Sequence, residues 1–482
     1  MHAVHTAQQV RDTEAGLLAR TPEDALMRRA AFGLAVHARR LLAGRRPVAG
    51  SAVALLVGAG NNGGDALWAG VELRRRGVGV RAVLLVPDHA HRTGLAALRR
   101  AGGRVLDATT DVAAATAALT GADLVLDGIV GISGRGALRP PAVELVAAVA
   151  AAGIPVLAVD LPSGVDADTG TVDGPAVVAT ETATFGTLKP VHVLAAARCG
   201  PTHLVDIGLT PLLPEPHLHV LEAADVAARW PVPGPTDDKY TQGVTGIAAG
   251  SATYPGAAVL ATGAAVLATS GMVRFAGSAA PGVRDHWPEV ICTTTLPDAG
   301  RTQSWAVGPG IGTDEAGRDV LAAAVDRDVP LCVDADAITL LAEHAQLRSA
   351  LAGRPVVLTP HDREFARIAG DVGPDRAAAA RRAADRLGVT VLLKGNATVI
   401  ADPGGRAMVH PATTSWAATA GSGDVLTGLI GALLAAGLEP WWAAGCGAFV
   451  HGRAAQFAAA GAPAPASRIA AAVPDALRSL LG

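Results

Sequence analysis

The sequence lacks paired cysteines. Its four cysteines stand far apart in a chain of 482 residues, at positions 199, 292, 332 and 446. Such spacing excludes a disulfide framework and a zinc site made from cysteine pairs. No two histidines stand four residues apart, the spacing that brings both to one face of a zinc-binding helix, so a catalytic zinc is not expected either. We therefore expect a protein of the reducing cytoplasm.

An excess of charge of one sign is also missing. Lys and Arg together number 40 and Asp and Glu 43, which gives a net charge of −3. Proteins that bind nucleic acid or anionic membranes usually carry a basic surface, and this composition gives no sign of one. The sequence therefore predicts small-molecule partners, with neither nucleic acid nor membrane among them.

Targeting and membrane-spanning segments are not evident. The amino-terminal residues 1–16 contain no basic segment followed by an apolar run, so no secretory signal is expected. The uncharged stretch 256–273 is long enough for a membrane span, but its glycine, threonine and serine content makes it only weakly apolar. We predict that this stretch is a buried helix of a soluble protein.

The length of the chain exceeds what one hydrophobic core normally supports, so two domains are expected. The α/β pattern breaks down between residues 209 and 240, where "LTPLLPEPH" and "WPVPGPTDD" are rich in proline. This region separates a predicted domain of residues 1–217 from a second one of residues 218–482. Aromatic residues make up only 3% of the chain, so close backbone packing is expected to supply much of each core.

Short apolar runs alternate with helical segments in both halves. The runs are residues 52–58, 80–86, 122–131, 154–164 and 182–190 in the first half, and 243–251, 305–312, 329–338, 354–365 and 389–400 in the second. This alternation predicts parallel sheets with helices on both faces, which is a three-layer αβα architecture. Ligands of such sheets bind beyond the carboxyl ends of the strands, where this chain has many glycines, aspartates and asparagines.

The stretch "GAGNNGGD" (58–65) has the glycine spacing of the dinucleotide-binding fingerprint, and we expect a helix to begin near Asp65. Backbone N–H groups in such a turn suit phosphate or another anion. A dehydrogenase should also have an acidic residue at the end of the next strand, but only Asp88 is available, too late and beyond a proline. The pair Asn61 and Asn62 either serves a ligand or only shapes the turn.

Carboxylates follow two further strands. Asp127 precedes the loop "GIVGISGRG", and Asp160 precedes "LPSGVDADTG", which contains Ser163. Two carboxylates with an amide and a hydroxyl nearby could bind a hard cation through oxygen, or could act as acid and base. Taken singly, each is equally well explained by helix capping or by hydrogen bonding within a loop.

Together, "GAGNNGGD", "LDGIVGISGRG", "AVDLPSGVDADTG" and "TFGTLKP" resemble, in order and spacing, the NAD(P)H-hydrate epimerase domain over roughly residues 10–215. The resemblance implies a Rossmann-like fold and a nicotinamide nucleotide that carries added water. It further implies a potassium ion on Asn62, Asp127 and Ser163, with help from backbone oxygens of residues 128–131. Asp160 would be the acid/base group, and Lys189 would supply a nearby positive charge. The nucleotide would be held by Asn61, Asn62, Gly63, Gly64, Asp65, Gly131, Ile132, Ser133, Gly134, Arg135 and Gly136.

The second half carries "TAGSGDVLTGLIGALLAAG" (419–437), in which small residues lead into a long glycine- and alanine-rich helical stretch after residue 424. The N–H groups at the start of such a helix can hold a phosphate, and Asp424 there could accept a proton from a substrate hydroxyl. Asp424 could also merely cap the helix, although capping does not require Gly421 and Gly423 around it. The arrangement resembles the anion hole and catalytic aspartate of ribokinase-like small-molecule kinases.

Four further segments narrow this resemblance. "DKYTQGVTGIAAGSATYPGAA", "VGPGIGTD", "LTPHDREFARIAG" and "VLLKGNATVI" are together similar to ADP/ATP-dependent NAD(P)H-hydrate dehydratases, over roughly residues 225–480. By that resemblance, Ala258, Gly310, His361 and Asp424 would contact the hydrated substrate, and Lys394, Gly395, Asn396, Ala397, Thr398 and Gly423 would contact the nucleotide. His361 could be simply a helix-end residue. Asp334 and Asp336 are ambiguous, and we leave them outside the predicted catalytic set.

The two resemblances predict a bifunctional enzyme that repairs hydrated NADH and NADPH. The first domain would interconvert the R and S hydrates with the help of potassium. In the second, Asp424 would help the hydroxyl of the S hydrate attack ADP or ATP with magnesium, and phosphate would then leave. A homo-oligomer is expected. Two alternatives stay open: a vitamin or cofactor-precursor kinase fused to a ligand-binding Rossmann-like domain, and a nucleotide sensor without catalysis.

Overall fold

A computed structural model describes residues 1–22, 24–269 and 271–482. The chain divides into two compact units, one formed by Ala3–Leu218 and the other by His219–Gly482 together with Met1–His2. Each unit is built around a sheet that has helices on its faces. No helix in the described ranges is long and apolar enough to cross a membrane.

The first unit has a parallel sheet of seven strands in the order β4-β3-β2-β5-β6-β7-β8. The elements, in chain order, are β1 (His2–Val4), α1 (Ala7–Leu18), α2 (Ala25–Ala43), β2 (Ala52–Val57), α3 (Gly60–Arg74), β3 (Gly79–Leu84), α4 (Arg92–Arg100), β4 (Arg104–Asp107), α5 (Val112–Thr120), β5 (Leu124–Gly128), α6 (Ala142–Ala151), β6 (Val156–Val159), β7 (Glu181–Phe185), α7 (Pro190–Leu194), α8 (Ala196–Cys199) and β8 (Thr202–Val205). The strand order reverses between β2 and β5, as it does in the Rossmann fold.

Strand β2 shows why this sheet needs helices on both faces. Val53, Leu55 and Val57 pack into one cluster with α2, α3 and α4, whereas Ala54 and Leu56 pack into another with α5 and α6. Successive side chains of a strand point to opposite faces of the sheet, so a strand that is apolar at every position needs helices packed on both faces. The predicted three-layer, Rossmann-like architecture is confirmed.

The sheet of the second unit runs from β9 to β12 in the order β9-β18-β17-β16-β15-β14-β13-β10-β11-β12. The elements are β9 (Leu218–Val220), α9 (Ala223–Ala227), β10 (Val244–Ala248), α10 (Pro255–Ala268), β11 (Met272–Ala276), α11 (Ala280–His286), β12 (Ile291–Thr293), β13 (Ser304–Val307), α12 (Glu315–Val325), β14 (Leu331–Val333), α13 (Asp336–Glu343), α14 (Ala345–Ser349), β15 (Val356–Leu358), α15 (Asp362–Ala369), α16 (Arg376–Leu387), β16 (Thr390–Leu393), β17 (Ala397–Ala401), β18 (Ala407–Pro411), α17 (Ser422–Ala435), α18 (Pro440–Ala459), α19 (Ala466–Ala471) and α20 (Val473–Leu481). Strands β10 to β16 pair in parallel, and β17 is antiparallel to both of its neighbours.

Several boundaries differ from the sequence prediction. Helix α3 begins at Gly60, five residues before the predicted start near Asp65, because its glycine-rich first turns are themselves helical. The run 389–400 forms two antiparallel strands with a turn between them, not one strand. The predicted helix 256–273 ends at Ala268, and its last two residues belong to β11; Ser270 within it lies outside the described residues.

Candidate active sites

The first site forms at the ends of β2, β5 and β6, which are neighbours in the sheet. Gly58, just after β2, touches the loop that follows β5: a Cβ atom on Gly58 would lie 2.0 Å from the carbonyl oxygen of Ile129. Only glycine allows this approach, which brings the first turns of α3 against the residues after β5. The site therefore occupies the position where ligands bind in Rossmann-like sheets, at the reversal of strand order.

Asp127 and Ser163 form a buried pair in this site. One carboxylate oxygen of Asp127 accepts a hydrogen bond from the Ser163 hydroxyl at 2.7 Å, and the other accepts one from the Ser163 backbone N–H at 2.8 Å. The Ser163 hydroxyl also accepts a hydrogen bond from the Val130 N–H at 3.0 Å. Burial raises the pKa of Asp127 to about 6, and its hydrogen bonds limit that rise.

Asn62 lies beside this pair, against the loop 131–136. A Cβ atom on Gly131 would be 3.1 Å from the Asn62 side-chain oxygen, so the loop passes directly over the amide. The amide nitrogen of Asn62 is buried and has no hydrogen-bond partner among the described residues. The predicted nucleotide-binding residues that are exposed to solvent are Asn61, Ser133, Arg135 and Gly136. These exposed positions leave one side of the site open.

Asp160 and Lys189 form an ion pair whose side chains are 9% and 1% exposed. Lys189 Nζ donates to Asp160 Oδ1 at 2.6 Å, to the Thr184 hydroxyl at 2.9 Å and to the Phe185 carbonyl at 2.9 Å. Burial opposes the charged carboxylate, but the Lys189 ammonium outweighs it and lowers the pKa of Asp160. Asp160 also has a φ of +68°, a strained conformation of the kind found at functional sites.

Glu14 and His192 belong to this site but were not among the predicted site residues. Asp65 was predicted to bind the nucleotide but was given no acid/base role. Glu14 of α1 and Asp65 of α3 have raised pKa values, first because of burial; Asp160 raises both further. His192 accepts a hydrogen bond from the Lys189 N–H and donates one to the Asp160 carbonyl at 2.8 Å. Burial and the Lys189 charge lower the pKa of His192 to about 4, so the ring is neutral. No motif contains Glu14, whereas the position of His192 three residues after Lys189 was an available signal.

The second site is a cavity of about 710 Å³ at the start of α17. Its lining contains the predicted residues His361, Lys394, Gly395, Asn396, Thr398, Gly423 and Asp424. Further lining residues include Asp334, Glu364, Ser422 and His451, none of which was among the predicted site residues. A concave space with a few convergent charged groups is the usual form of a small-molecule site.

Asp424 lies in the first turn of α17 and faces the cavity. Burial raises its pKa to about 7, and the negative charge of Asp334 adds to the rise more than the positive charge of Lys394 opposes it. A carboxyl group with this pKa is divided between its two protonation states near neutrality. This property suits a general base at physiological pH.

Lys394 is held between two carboxylates at the end of β16. Its ammonium lies 2.6 Å from Asp334 Oδ1 and 3.9 Å from Glu364 Oε2. The other Asp334 oxygen accepts a hydrogen bond from the Thr427 hydroxyl of α17 at 2.7 Å. Burial opposes the ammonium charge, but Asp334 and Glu364 outweigh it and raise the pKa of Lys394. Asp334, whose role could not be decided from the sequence, therefore links Lys394 to α17.

The start of α17 has the geometry of an anion-binding helix. Gly421 before it has a φ of +84°, a conformation that favours glycine. Ser422 follows and shares a hydrogen bond of 3.0 Å with His451 of α18. Burial lowers the pKa of His451 to about 4, so the ring remains neutral. The Ser422 N–H donates to the Thr419 carbonyl, whereas the N–H groups of Gly423 and Asp424 precede the first intrahelical hydrogen bond and can, with the serine hydroxyl, meet an anion.

Three predicted residues lie outside the cavity lining. Ala397 is a buried residue of β17. Ala258 and Gly310 lie together beside Tyr254 instead: a Cβ atom on Gly310 would be 2.9 Å from the Tyr254 Cβ, and Gly250 approaches both Tyr254 and Ala258. His361 lines the cavity, and its side chain also caps α15 by accepting hydrogen bonds from the Arg363 and Glu364 N–H groups. Both interpretations of His361 are therefore compatible with its position.

Two family models match the chain. Residues 23–191 match the model described as YjeF-related protein N-terminus, and residues 245–474 match the model described as NAD(P)H-hydrate dehydratase. The second unit also resembles a solved ribokinase-like superfamily protein from Enterococcus faecalis V583. That structure is 20% identical, with a TM-score of 0.51, and the match covers 55% of this chain and 96% of that one. This likeness concerns the fold alone.

Two relatives match the chain along most or all of their length. The bifunctional NAD(P)H-hydrate repair enzyme Nnr of Mycobacterium leprae (strain TN) is 56% identical over 490 residues, which cover 100% of both chains. The protein of the same name from Mycobacterium tuberculosis (strain ATCC 25618 / H37Rv) is 59% identical, with 91% of this chain and 90% of that one covered. Identity at this level over both units decides the family. The chain belongs to the bifunctional NAD(P)H-hydrate repair enzymes.

Proposed function

We propose that residues 1–217 epimerise the R and S hydrates of NADH and NADPH, and that residues 218–482 dehydrate the S hydrate at the expense of ADP. ATP is the alternative phosphate donor. The observation that carries this proposal is Asp424, a carboxyl group with a pKa of about 7 at the amino end of an anion-binding helix, in the same cavity as Lys394. Membership of the repair family argues against the kinase and sensor alternatives.

In the dehydratase site, Asp424 takes the proton of the substrate hydroxyl as that oxygen attacks the terminal phosphate of the nucleotide. The N–H groups of the first turn of α17, with Gly423, stabilise the charge that develops on the phosphate. Lys394 neutralises the negative charge of a phosphate oxygen, either after it has left Asp334 or while it still contacts that carboxylate. AMP leaves as the terminal phosphate is transferred from ADP, or ADP leaves when ATP is the donor. The phosphorylated oxygen then departs as phosphate with the electron pair of the carbon–oxygen bond, and loss of a proton from the adjacent ring carbon restores the double bond of the reduced nicotinamide.

We assign the nucleotide-binding and substrate-binding residues from where each one lies relative to the cavity. Lys394, Gly395, Asn396, Thr398 and Gly423 line the cavity and would hold the ADP, with Ala397 supporting the turn from β17. The hydrated substrate would reach His361 and Asp424. Ala258 and Gly310, beside Tyr254, would contact a more distant part of that substrate.

Magnesium would accompany the nucleotide. Among the described residues, no group of three or more His, Cys, Asp or Glu side chains forms a metal site by itself. This fits an ion that is held mainly by phosphate oxygens and water, with Asp334 and Glu364 as the nearby protein carboxylates. Bound magnesium would neutralise negative charge on the transferring phosphate.

In the epimerase site, Asp160 is the acid/base group that permits loss or inversion of the hydroxyl at the hydroxylated ring carbon, and Lys189 keeps its carboxylate ionised. Asn61 to Asp65 and the loop 131–136 would hold the nucleotide around it. Because the S form alone is dehydrated, epimerisation allows the R half of the damaged pool to be repaired as well.

Potassium would bind beside Asn62, Asp127 and Ser163, with backbone oxygens of residues 128–131 assisting. The donors fit such an ion: all are oxygens, and Asp127 is a fully buried carboxylate that forms no ion pair with any described residue. Buried charges in proteins are normally paired or bound to a metal. Bound potassium would supply that missing positive charge and fix the loop over Asn62.

Incubation of the S hydrate with enzyme, magnesium and ADP tests the dehydratase assignment. We expect AMP, phosphate and reduced nicotinamide nucleotide in equal amounts. A stable phosphorylated substrate would favour the kinase alternative instead. Cytoplasmic localisation and assembly into a homo-oligomer complete the proposal, and size-exclusion chromatography with light scattering measures the latter.

A further inference from the structure

Three carboxyl groups share one ammonium group in the epimerase site. Asp160, Asp65 and Glu14 all interact electrostatically with Lys189. The three protons of the Lys189 ammonium are already donated, to Asp160, to Thr184 and to the Phe185 carbonyl. The lysine can therefore neutralise Asp160 but has no donor left for the other two carboxyl groups.

Asp65 is the more buried of those two. It lies on α3 within the predicted nucleotide-binding residues, is 8% exposed, and receives no hydrogen bond or ion pair from any described residue. The charged groups that face it are Asp160, Glu14 and Lys189. Burial, together with the two negative neighbours, raises the pKa of Asp65 well above its ordinary value. Burial without a cationic or hydrogen-bonding partner therefore favours the protonated form of Asp65.

Asp160 has the opposite environment. Its carboxylate accepts hydrogen bonds from Lys189 and from the Thr184 hydroxyl at 3.0 Å, and it stays ionised. Two neighbouring carboxyl groups with opposed environments are the usual sign of an acid and a base in one active site. Epimerisation needs both, because a hydroxyl must leave from one face of the ring and water must return to the other.

We propose that Asp65 is the proton donor of the epimerase reaction and that Asp160 is the proton acceptor. The inference rests on the proposed epimerase function and adds a catalytic role to a residue that was assigned only to binding. Glu14, which is half-buried, adds negative charge near Asp65.

The chemistry follows from where the added water sits, on the carbon next to the ring nitrogen. Asp65 gives its proton to the hydroxyl, the carbon–oxygen bond breaks with its electron pair on oxygen, and water leaves. The nitrogen lone pair forms a C=N bond, which gives an iminium cation. Water then attacks from the other face, the C=N pair returns to nitrogen, and Asp160 takes the proton. Exchange with solvent returns a proton to Asp65 and removes one from Asp160.

The test uses the full chain and purified R hydrate without ADP, so that only epimerisation occurs, with chromatographic separation of R and S. Relative to the wild type, we expect Asp65→Asn to lower kcat at least about 100-fold with little change in KM, since general acid catalysis contributes at least that factor. Wild-type kcat should fall at alkaline pH as Asp65 loses its proton, and the variant should lose this alkaline limb. Asp65→Glu should restore part of the rate.

Controls separate the possible failures. Asp88→Asn, an exposed aspartate at the end of the neighbouring strand, should leave all parameters unchanged. An unchanged thermal unfolding transition of the Asp65→Asn chain verifies that the unit of residues 3–218 is folded. A normal kcat in Asp65→Asn, or a defect confined to KM, would overturn the acid role. If the wild type itself does not epimerise, the proposed function fails instead.

Discussion

The ammonium of Lys189 lies 2.6 Å from the Asp160 carboxylate, and both side chains are almost fully buried. The second site contains a pair at the same distance, Lys394 with Asp334, and in both sites the aspartate follows a parallel strand. In the first pair Asp160 is the predicted acid/base group and Lys189 keeps it ionised, whereas in the second Asp334 holds Lys394, the residue predicted to contact the nucleotide. Substitution of one residue of a pair and substitution of both should therefore have different effects on the free energy of unfolding and on enzyme activity.

Lys189→Met should destabilise the protein and abolish epimerisation. A buried ion pair that loses one partner leaves an uncompensated charge, which costs about 3–5 kcal/mol. The double variant Lys189→Met/Asp160→Asn should regain most of the free energy of unfolding without regaining epimerase activity. Chemical denaturation of the two variants and the wild type measures the first effect; equal stability of the single and double variants would contradict the account.

Dehydratase activity should depend on pH through Asp424. As a general base, Asp424 must be ionised, so kcat/KM should fall about tenfold for each pH unit below its pKa of about 7 and level off above it. Measurement of kcat/KM between pH 5.5 and 8.5 with the S hydrate and ADP tests for this decrease. A profile that is flat below pH 7 would exclude Asp424 as the base, and Asp424→Asn should remove nearly all activity at every pH.

Asp334→Asn should weaken nucleotide binding. Without its ion pair, Lys394 loses the 2.6 Å contact that holds it at the cavity, and Thr427 loses a strong acceptor. We expect the Kd for ADP, measured by calorimetry, to rise about tenfold or more, since hydrogen bonds to charged groups contribute about 1.5–3 kcal/mol. Asp336→Asn is the matched control, because Asp336 bonds the Gly312 N–H instead. Equal effects of the two substitutions would contradict a specific role for Asp334.

Potassium should stabilise the epimerase unit through Asp127. Saturating potassium should raise the melting temperature above that in an equal concentration of tetramethylammonium, because an ion that binds only the folded state stabilises it by mass action. Asp127→Asn should abolish this difference. Ser163→Ala should reduce it, since the hydroxyl is both a proposed ligand and a donor to Asp127. A potassium effect that persists in Asp127→Asn would place the ion elsewhere.

The sequence was sufficient for the strands that carry the motifs, because their apolar runs end in glycine and aspartate at the ligand-binding edge. It did not predict the edge strands β4, β8 and β12 or β11, the neighbour of β12, which are short or only partly buried and have weak patterns. The start of α3 was placed too late because glycine and asparagine favour turns, whereas here they form helical first turns.

Within the sites, motif residues were easier to find than their electrostatic partners. Asp65, Asp160 and Asp424 all stand in recognisable motifs, but the raised pKa of Asp65, like the parts played by Glu14 and Asp334, depends on charges that lie far away in the sequence. Asp334 is 60 residues before the lysine that it binds. A pKa shift depends on burial and on neighbours in space, and neither can be read from local sequence.

The measurement that tests the central claim most directly is recovery of the reduced-nicotinamide absorbance from a mixture of R and S hydrates of NADPH, with ADP and magnesium. The account predicts complete recovery by the wild type and none by Asp424→Ala. Asp160→Ala should recover the S half quickly and the remainder only at the spontaneous rate of epimerisation. No recovery by the wild type with either ADP or ATP would contradict the repair function.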